Sequence, residues 1–163
     1  MTLMEWRDLF AYNAWANGLI FDAVARLPDA DYLRDLKSSH GGIHGTLQHI
    51  VWAEQLWLHR WLRKPNPSVA QGRDLKTLAE VRTRWAAVEA GRRAFLDGLG
   101  EPGLRETRTI QPSTGGEYVH TMPQMFRHAV DHSSYHRGQV VALMRQVGAV
   151  PPVTGLIVYY RRG

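Results

Sequence analysis

Three histidines, His128, His132 and His136, stand four residues apart in the run HAVDHSSYHRGQ, and a fourth, His49, lies in the otherwise apolar stretch TLQHIVWA. If the run is helical, each step of four advances about 40° beyond a full turn, so adjacent members face the same way. Two imidazoles at i and i+4 can grip one metal ion, the device of the H-E-x-x-H zinc helices. Here Ser133, Ser134 and Tyr135 fill the interval between His132 and His136, and without a glutamate the metalloprotease reading fails. His128 and His136 lie about two turns, roughly 11 Å, apart and do not easily share an ion. A third ligand must come from another segment, and His49 is the best candidate. His44 is five residues earlier and faces elsewhere, His59 lies about 15 Å further along the same helix, and His40 and His120 fall in loops. His128 is then a packing residue beside the pair, or it replaces His132 in the ligand set.

Three neutral imidazoles leave one coordination position open, the arrangement of a site that takes water or substrate. They also leave the charge of a divalent ion uncompensated, which lowers the pKa of a bound water or thiol towards neutrality. The chain has no cysteine, which excludes disulfides, thiolate metal sites and a cysteine nucleophile. Imidazole donors suit zinc, nickel, copper or iron, with zinc and nickel foremost.

Four helices are expected to carry these residues. Apolar positions recur every three or four residues from about Leu3 to Leu27, with Asn13 and Asn17 on the same stripe, either at its wet edge or buried in hydrogen bonds to a neighbouring helix. A second helix is expected from Ile43 to Leu62, stopped by Pro65 and Pro67, and a third from Leu75 to Leu99, without histidine. Thr121-Met122-Pro123-Gln124 reads as a capping box with proline in the first turn, opening a fourth helix that runs to Val147 and stops at Gly148. Between the third and fourth, Leu104 to Ile110 and Glu117 to Met122 flank Pro112-Ser113-Thr114-Gly115-Gly116, the pattern of a short hairpin. The tail run Leu156 to Tyr160 is expected to pack across one end.

With 163 residues, 44% of them apolar, the chain is expected to form one domain over 1–163. No apolar run approaches the roughly 20 residues of a membrane span, and the start MTLMEWRDLF lacks the features of a signal peptide; a cytoplasmic, membrane-free protein is expected. Basic residues outnumber acidic ones, giving a net charge of +5, but the two are interspersed and no recognition motif accompanies them. Nucleic acid is therefore not an expected partner, whereas a small anionic substrate is favoured.

The runs YNAWAN, GGIHGTLQHIVWAE and HAVDHSSYHRGQVVALMRQVG together resemble the DinB/YfiT-like metalloprotein superfamily over nearly the whole chain. The most specific element is H-S-S-Y-H-R-G-Q. The resemblance implies an all-α, up-down-down-up four-helix bundle, commonly a homodimer, with one divalent metal held by a histidine of the second helix and two of the fourth. Position by position those are His49, His132 and His136. Branches of the superfamily look like transferases and isomerases that use a low-molecular-weight thiol such as bacillithiol, mycothiol or glutathione. By that likeness the metal would ionise the thiol, and Arg137 would anchor its carboxylates. For Arg137 the plainer reading is a surface ion pair, and for Gly138 the close approach of a neighbouring helix. Relatives often carry serine where Gly42 stands and aspartate near Thr154 or Gly155. Two other functions compete. Metal-assisted hydrolysis needs a carboxylate near the ion, yet Glu54 and Asp131 are expected to point about 140° and about 100° away from the adjacent histidines. A non-catalytic metal-binding stress protein would show metal-dependent stability without turnover.

Overall fold

Reciprocal caps open three of the four long helices. Thr2 and Glu5 cap α1 (Leu3–Val24), Thr77 and Glu80 cap the third long helix, and Thr121 and Gln124 cap the fourth, each side chain accepting from the other residue's backbone N–H. The structure, a computed structural model, describes residues 1–112 and 115–162. After α1 the chain runs through α2 (Asp29–Tyr32), α3 (Ile43–Trp61), α4 (Val69–Arg73), α5 (Leu78–Gly98), a 3-10 turn (Glu101–Arg105), strands β1 (Thr107–Ile110) and β2 (Tyr118–Thr121), α6 (Met122–Gln146) and α7 (Leu156–Tyr160). The described residues are therefore mostly helical, with one small antiparallel hairpin in which Thr107 faces Thr121 and Ile110 faces Tyr118. Ser113 and Thr114, at the expected turn, and Gly163 lie outside the described residues.

Boundaries moved for local reasons. The first helix stops at Val24 because the N–H groups of Arg26 and Leu27 bond three residues back, to Ala23 and Val24, tightening the last turn. The third long helix begins at Leu78, where Thr77 supplies the cap, and not at Leu75. The short helices α2 and α4 carry too few residues for a periodic signal. In α4, Ser68 and Gln71 form a capping box, and Gly72 lies so close to Trp52 that a Cβ there would sit 2.6 Å from the indole.

The four long helices pack in a ring, α1 against α6 and α5, and α3 against the same two. One apolar cluster joins the N-terminal halves of α1 and α6 (Trp6, Phe10, Phe126) to the C-terminal halves of α3 and α5 (Trp61, Leu96). The other joins the opposite halves through Ile20, Phe21, Ile43, Leu47, Val81 and Val140. Between the two clusters lies a buried polar layer of Asn13, Asn17, Glu54, Arg92, Ser133 and Arg137. The histidines sit at the level of this layer, on α3 and α6. None of the described helices is long and apolar enough to cross a membrane.

Candidate metal centre

His49 projects from α3 and His132 and His136 from the adjacent α6. The Nε2 atom of His132 is 3.1 Å from Nε2 of His49 and 3.1 Å from Nε2 of His136. At a metal–nitrogen bond of about 2.05 Å, two ligands of one ion stand about 3.3 Å apart in tetrahedral and about 2.9 Å apart in octahedral geometry. Both separations lie between these values, so His132 stands from each of its two neighbours at a spacing suited to two ligands of one transition-metal ion.

The protonation of the rings suits the same role. Burial, reinforced by the neighbouring imidazoles, pushes His49 down to about 3. Burial and then His136 and His128 push His132 down to about 4. Burial also lowers His136, partly offset by its hydrogen bond to Gln139. The rings are thus neutral at neutral pH, the form that ligates metal. His136 donates from Nδ1 to Gln139 Oε1 at 2.7 Å, which leaves the Nε2 lone pair facing the other two rings. Gln139 matched the family pattern in sequence; its contact is what the helical spacing i, i+3 delivers.

A fourth imidazole stands in the cluster. His40 precedes α3 in a loop, yet its ring stacks on His49 at 4.0 Å between centroids and meets His136 edge-on at 5.2 Å. Ring nitrogens of His40, His49 and His136 all lie within 4.8 Å of one another, a trio that could hold a metal ion. The remaining histidines are occupied elsewhere. His44 Nδ1 lies 2.6 Å from the Tyr32 hydroxyl, His59 Nδ1 lies 2.7 Å from the Pro65 carbonyl, His120 stacks on Tyr118, and exposed His128 packs edge-on to Trp57.

Behind the histidines, the buried layer is one hydrogen-bonded network. Glu54 Oε1 accepts from Asn13 (2.8 Å), Asn17 (3.0 Å) and Ser133 (2.6 Å), and Oε2 pairs with Arg92 at 3.2 Å. Burial alone would raise the Glu54 carboxyl, but Arg92, the Ser133 and Asn13 hydrogen bonds and Arg137 together hold it below its ordinary value. Arg137 is 2% exposed and donates to Asn13, Asn17, Tyr12 and Ser134. It is buried, not the surface ion pair that sequence also allowed, and it lines a groove between α6 and residues 151–155, away from the cleft beside His49. Asn13 and Asn17 take the buried alternative of the two considered. At Gly138 a Cβ would meet nothing within 4 Å, so close helix approach does not account for that glycine.

A cleft of about 540 Å³ opens beside His40 and His49, walled by Gln48, Trp52 and Gly72, with Arg73 at its side. Among the described residues that line it, Arg73 is the cation and none is a carboxylate. The geometry therefore offers neutral nitrogen donors, an aromatic wall and one positive charge. The sequence model of the DinB family, described as "DinB family", matches residues 2–162. Protein DinB of Bacillus subtilis (strain 168) is 27% identical over 158 residues, covering 93% of this chain and 92% of that protein.

Proposed function

This chain belongs to the DinB family, and from that premise we propose that it is a metal-dependent thiol transferase or isomerase whose ion is held by His49, His132 and His136. The observation that carries the reading is the placement of His132 Nε2 3.1 Å from Nε2 of both His49 and His136, with His49 lining an open cleft. When bound, the ion supplies the charge that keeps a low-molecular-weight thiol in its thiolate form at neutral pH. Gln139 orients His136, Trp52 and Gln48 shape the space beside the sulfur, and Arg73 meets a carboxylate of the thiol. Arg73 takes the anchoring role in this reading because the guanidinium donors of Arg137 are committed to the buried layer. In a transfer, the sulfur forms a bond to the electrophilic carbon and the leaving group departs with its electron pair.

Among the described residues the cleft is lined by a cation and no carboxylate, which favours a thiol over hydrolysis, because hydrolysis needs a base beside the attacking water. The test is conjugation of 1-chloro-2,4-dinitrobenzene with bacillithiol, mycothiol or glutathione by protein loaded with zinc or nickel. The expected result is turnover that His132→Ala abolishes while leaving the protein folded. Activity that survives removal of the metal overturns the proposal, and bound metal with no turnover on any of the thiols leaves a metal-binding protein that is not an enzyme.

We further infer that the four long helices make an up-down-down-up bundle in a single domain. The pairing of the N-terminal halves of α1 and α6 with the C-terminal halves of α3 and α5 supports this, as does a family match running unbroken across residues 2–162. The cytoplasmic homodimer that the resemblance implies predicts a sedimenting mass of twice 18.5 kDa.

A further inference from the structure

We propose that His40 is a fourth protein ligand of the ion, so that the site at rest is closed by protein and a thiol enters by displacing this imidazole. The inference rests on the metal-holding role proposed for the His49, His132 and His136 cluster. Its own basis is the placement of a loop residue that no helical spacing could bring there. A ring nitrogen of His40 lies within 4.8 Å of those of His49 and His136. Tetrahedral coordination would need about 3.3 Å, so the His40 imidazole has to close on those of His49 and His136 by no more than about 1.5 Å.

The loop is built to hold His40 at that point. Gly41 adopts φ +82°, and its carbonyl accepts from the Leu36 and Ser38 N–H groups while its own N–H bonds to Ser38, closing a tight turn. On the other side, the His40 carbonyl presses against the first turn of α3 at Gly45, where a Cβ would come within 1.9 Å of that oxygen. His40 is therefore fixed over His49 by backbone contacts and not by its ring.

The chemistry of exchange favours a displaceable ligand. Four neutral nitrogens satisfy a tetrahedral ion and exclude water, yet leave its 2+ charge uncompensated. An incoming thiolate replaces one neutral donor by an anion and reduces that charge. The loop imidazole, unlike the three helical or helix-anchored ones, can leave without unwinding a helix. His40 and Ser39 both line the cleft, so the displaced ring has space to move into.

Cobalt(II) added to the purified full-length apoprotein tests the idea without any turnover assay. The wild type is expected to show the intense visible bands of four-coordinate cobalt. His40→Ala is expected to shift to the weaker bands of a water-bearing ion and to bind cobalt at least about tenfold more weakly, the scale seen even when a group that merely supports a ligand is lost. Glutathione, followed by its sulfur-to-cobalt charge-transfer band, is expected to bind the His40→Ala form more tightly. Gly45→Ala keeps the imidazole but displaces the loop, and is expected to give the same spectral change; it decides the matter if His40→Ala fails to fold. Identical spectra and affinities in wild type and both variants overturn the role of His40 while leaving the helical trio as ligands. Cobalt bound normally by His132→Ala but not by His40→Ala would instead overturn the ligand set of the proposed function and keep His40. Cobalt bound by none of the proteins overturns both.

Discussion

Glu54 connects the histidine cluster to the rest of the molecule. Ser133, which donates to it, lies between the inward rings of His132 and His136 in sequence, and Asn13 and Asn17 bring α1 to the same carboxylate. Glu54 and Glu89 together face the guanidiniums of Arg92 and Arg137, so the layer is close to charge balance. Removing one buried partner leaves uncompensated charge, and Glu54→Gln is expected to cost about 3–5 kcal/mol in urea unfolding. Gln139→Ala tests the other support of the cluster. Loss of the Nδ1 contact frees the tautomer and orientation of His136, and titration calorimetry should show metal affinity falling about 10–100-fold with little change in the stability of the apoprotein. At this scale the sequence was partly transparent. The interval of four between His132 and His136 is a geometric statement that any helix would honour, and Glu54 does point away from His49 as its angle required. What it points at could not be read, because the layer depends on which helices become neighbours.

At the scale of elements, the four long helices were legible because apolar periodicity and caps coincide in them, as at Thr121 with Gln124. The segments that shape the cleft were not. α4 spans five residues, and its position is set by Trp52, whose indole lies against Gly72 and donates to the Ser68 carbonyl. His40 was hidden for a similar reason, since the close contact between its carbonyl and Gly45 is not a spacing. The run H-G-G-I-H-G was nevertheless a signal, three glycines around a histidine at a helix start. Gly42 gives this loop a prediction of its own. It caps α3 without a side-chain hydrogen bond, so serine there would ordinarily stabilise the helix start by a few tenths of a kcal/mol. Here a Cβ would lie 2.2 Å from the Arg34 carbonyl oxygen, and the backbone must move to admit it. Gly42→Ser is therefore expected to destabilise the protein by about 1–3 kcal/mol in thermal unfolding, reversing the usual effect of a cap.

For the whole molecule, the histidine cluster is expected to tie stability to both pH and metal. In the folded apoprotein His49 and His132 titrate at about 3 and about 4, below the ordinary histidine value of 6.5 that the unfolded chain shows. The unfolded state therefore binds more protons as pH falls below 6.5, and stability, complete above that point, is lost progressively down to about 3–4. Glu54 acts lower. Its carboxyl is held below 4.5, so its contribution is complete above that value and is lost as pH falls through the lower folded one. Between pH 5 and 6.5 the slope thus belongs to the histidines, and a His49→Ala, His132→Ala double variant is expected to reduce it there, the other lowered histidines keeping the rest, while retaining the steep loss below about 4.5. Metal reinforces the same dependence. An ion present at a hundred times its dissociation constant adds about 2.7 kcal/mol to the folded state, raising the melting temperature of the wild type at pH 7.5 and not that of the double variant. Protons compete for the same nitrogens, so this increment should shrink as pH falls from 7.5 to 5.5, making the loaded protein more sensitive to acid than the apoprotein. Melting curves at several pH values, with and without zinc, measure both slopes, and a zinc increment independent of pH would show that the ion is held by groups other than these imidazoles.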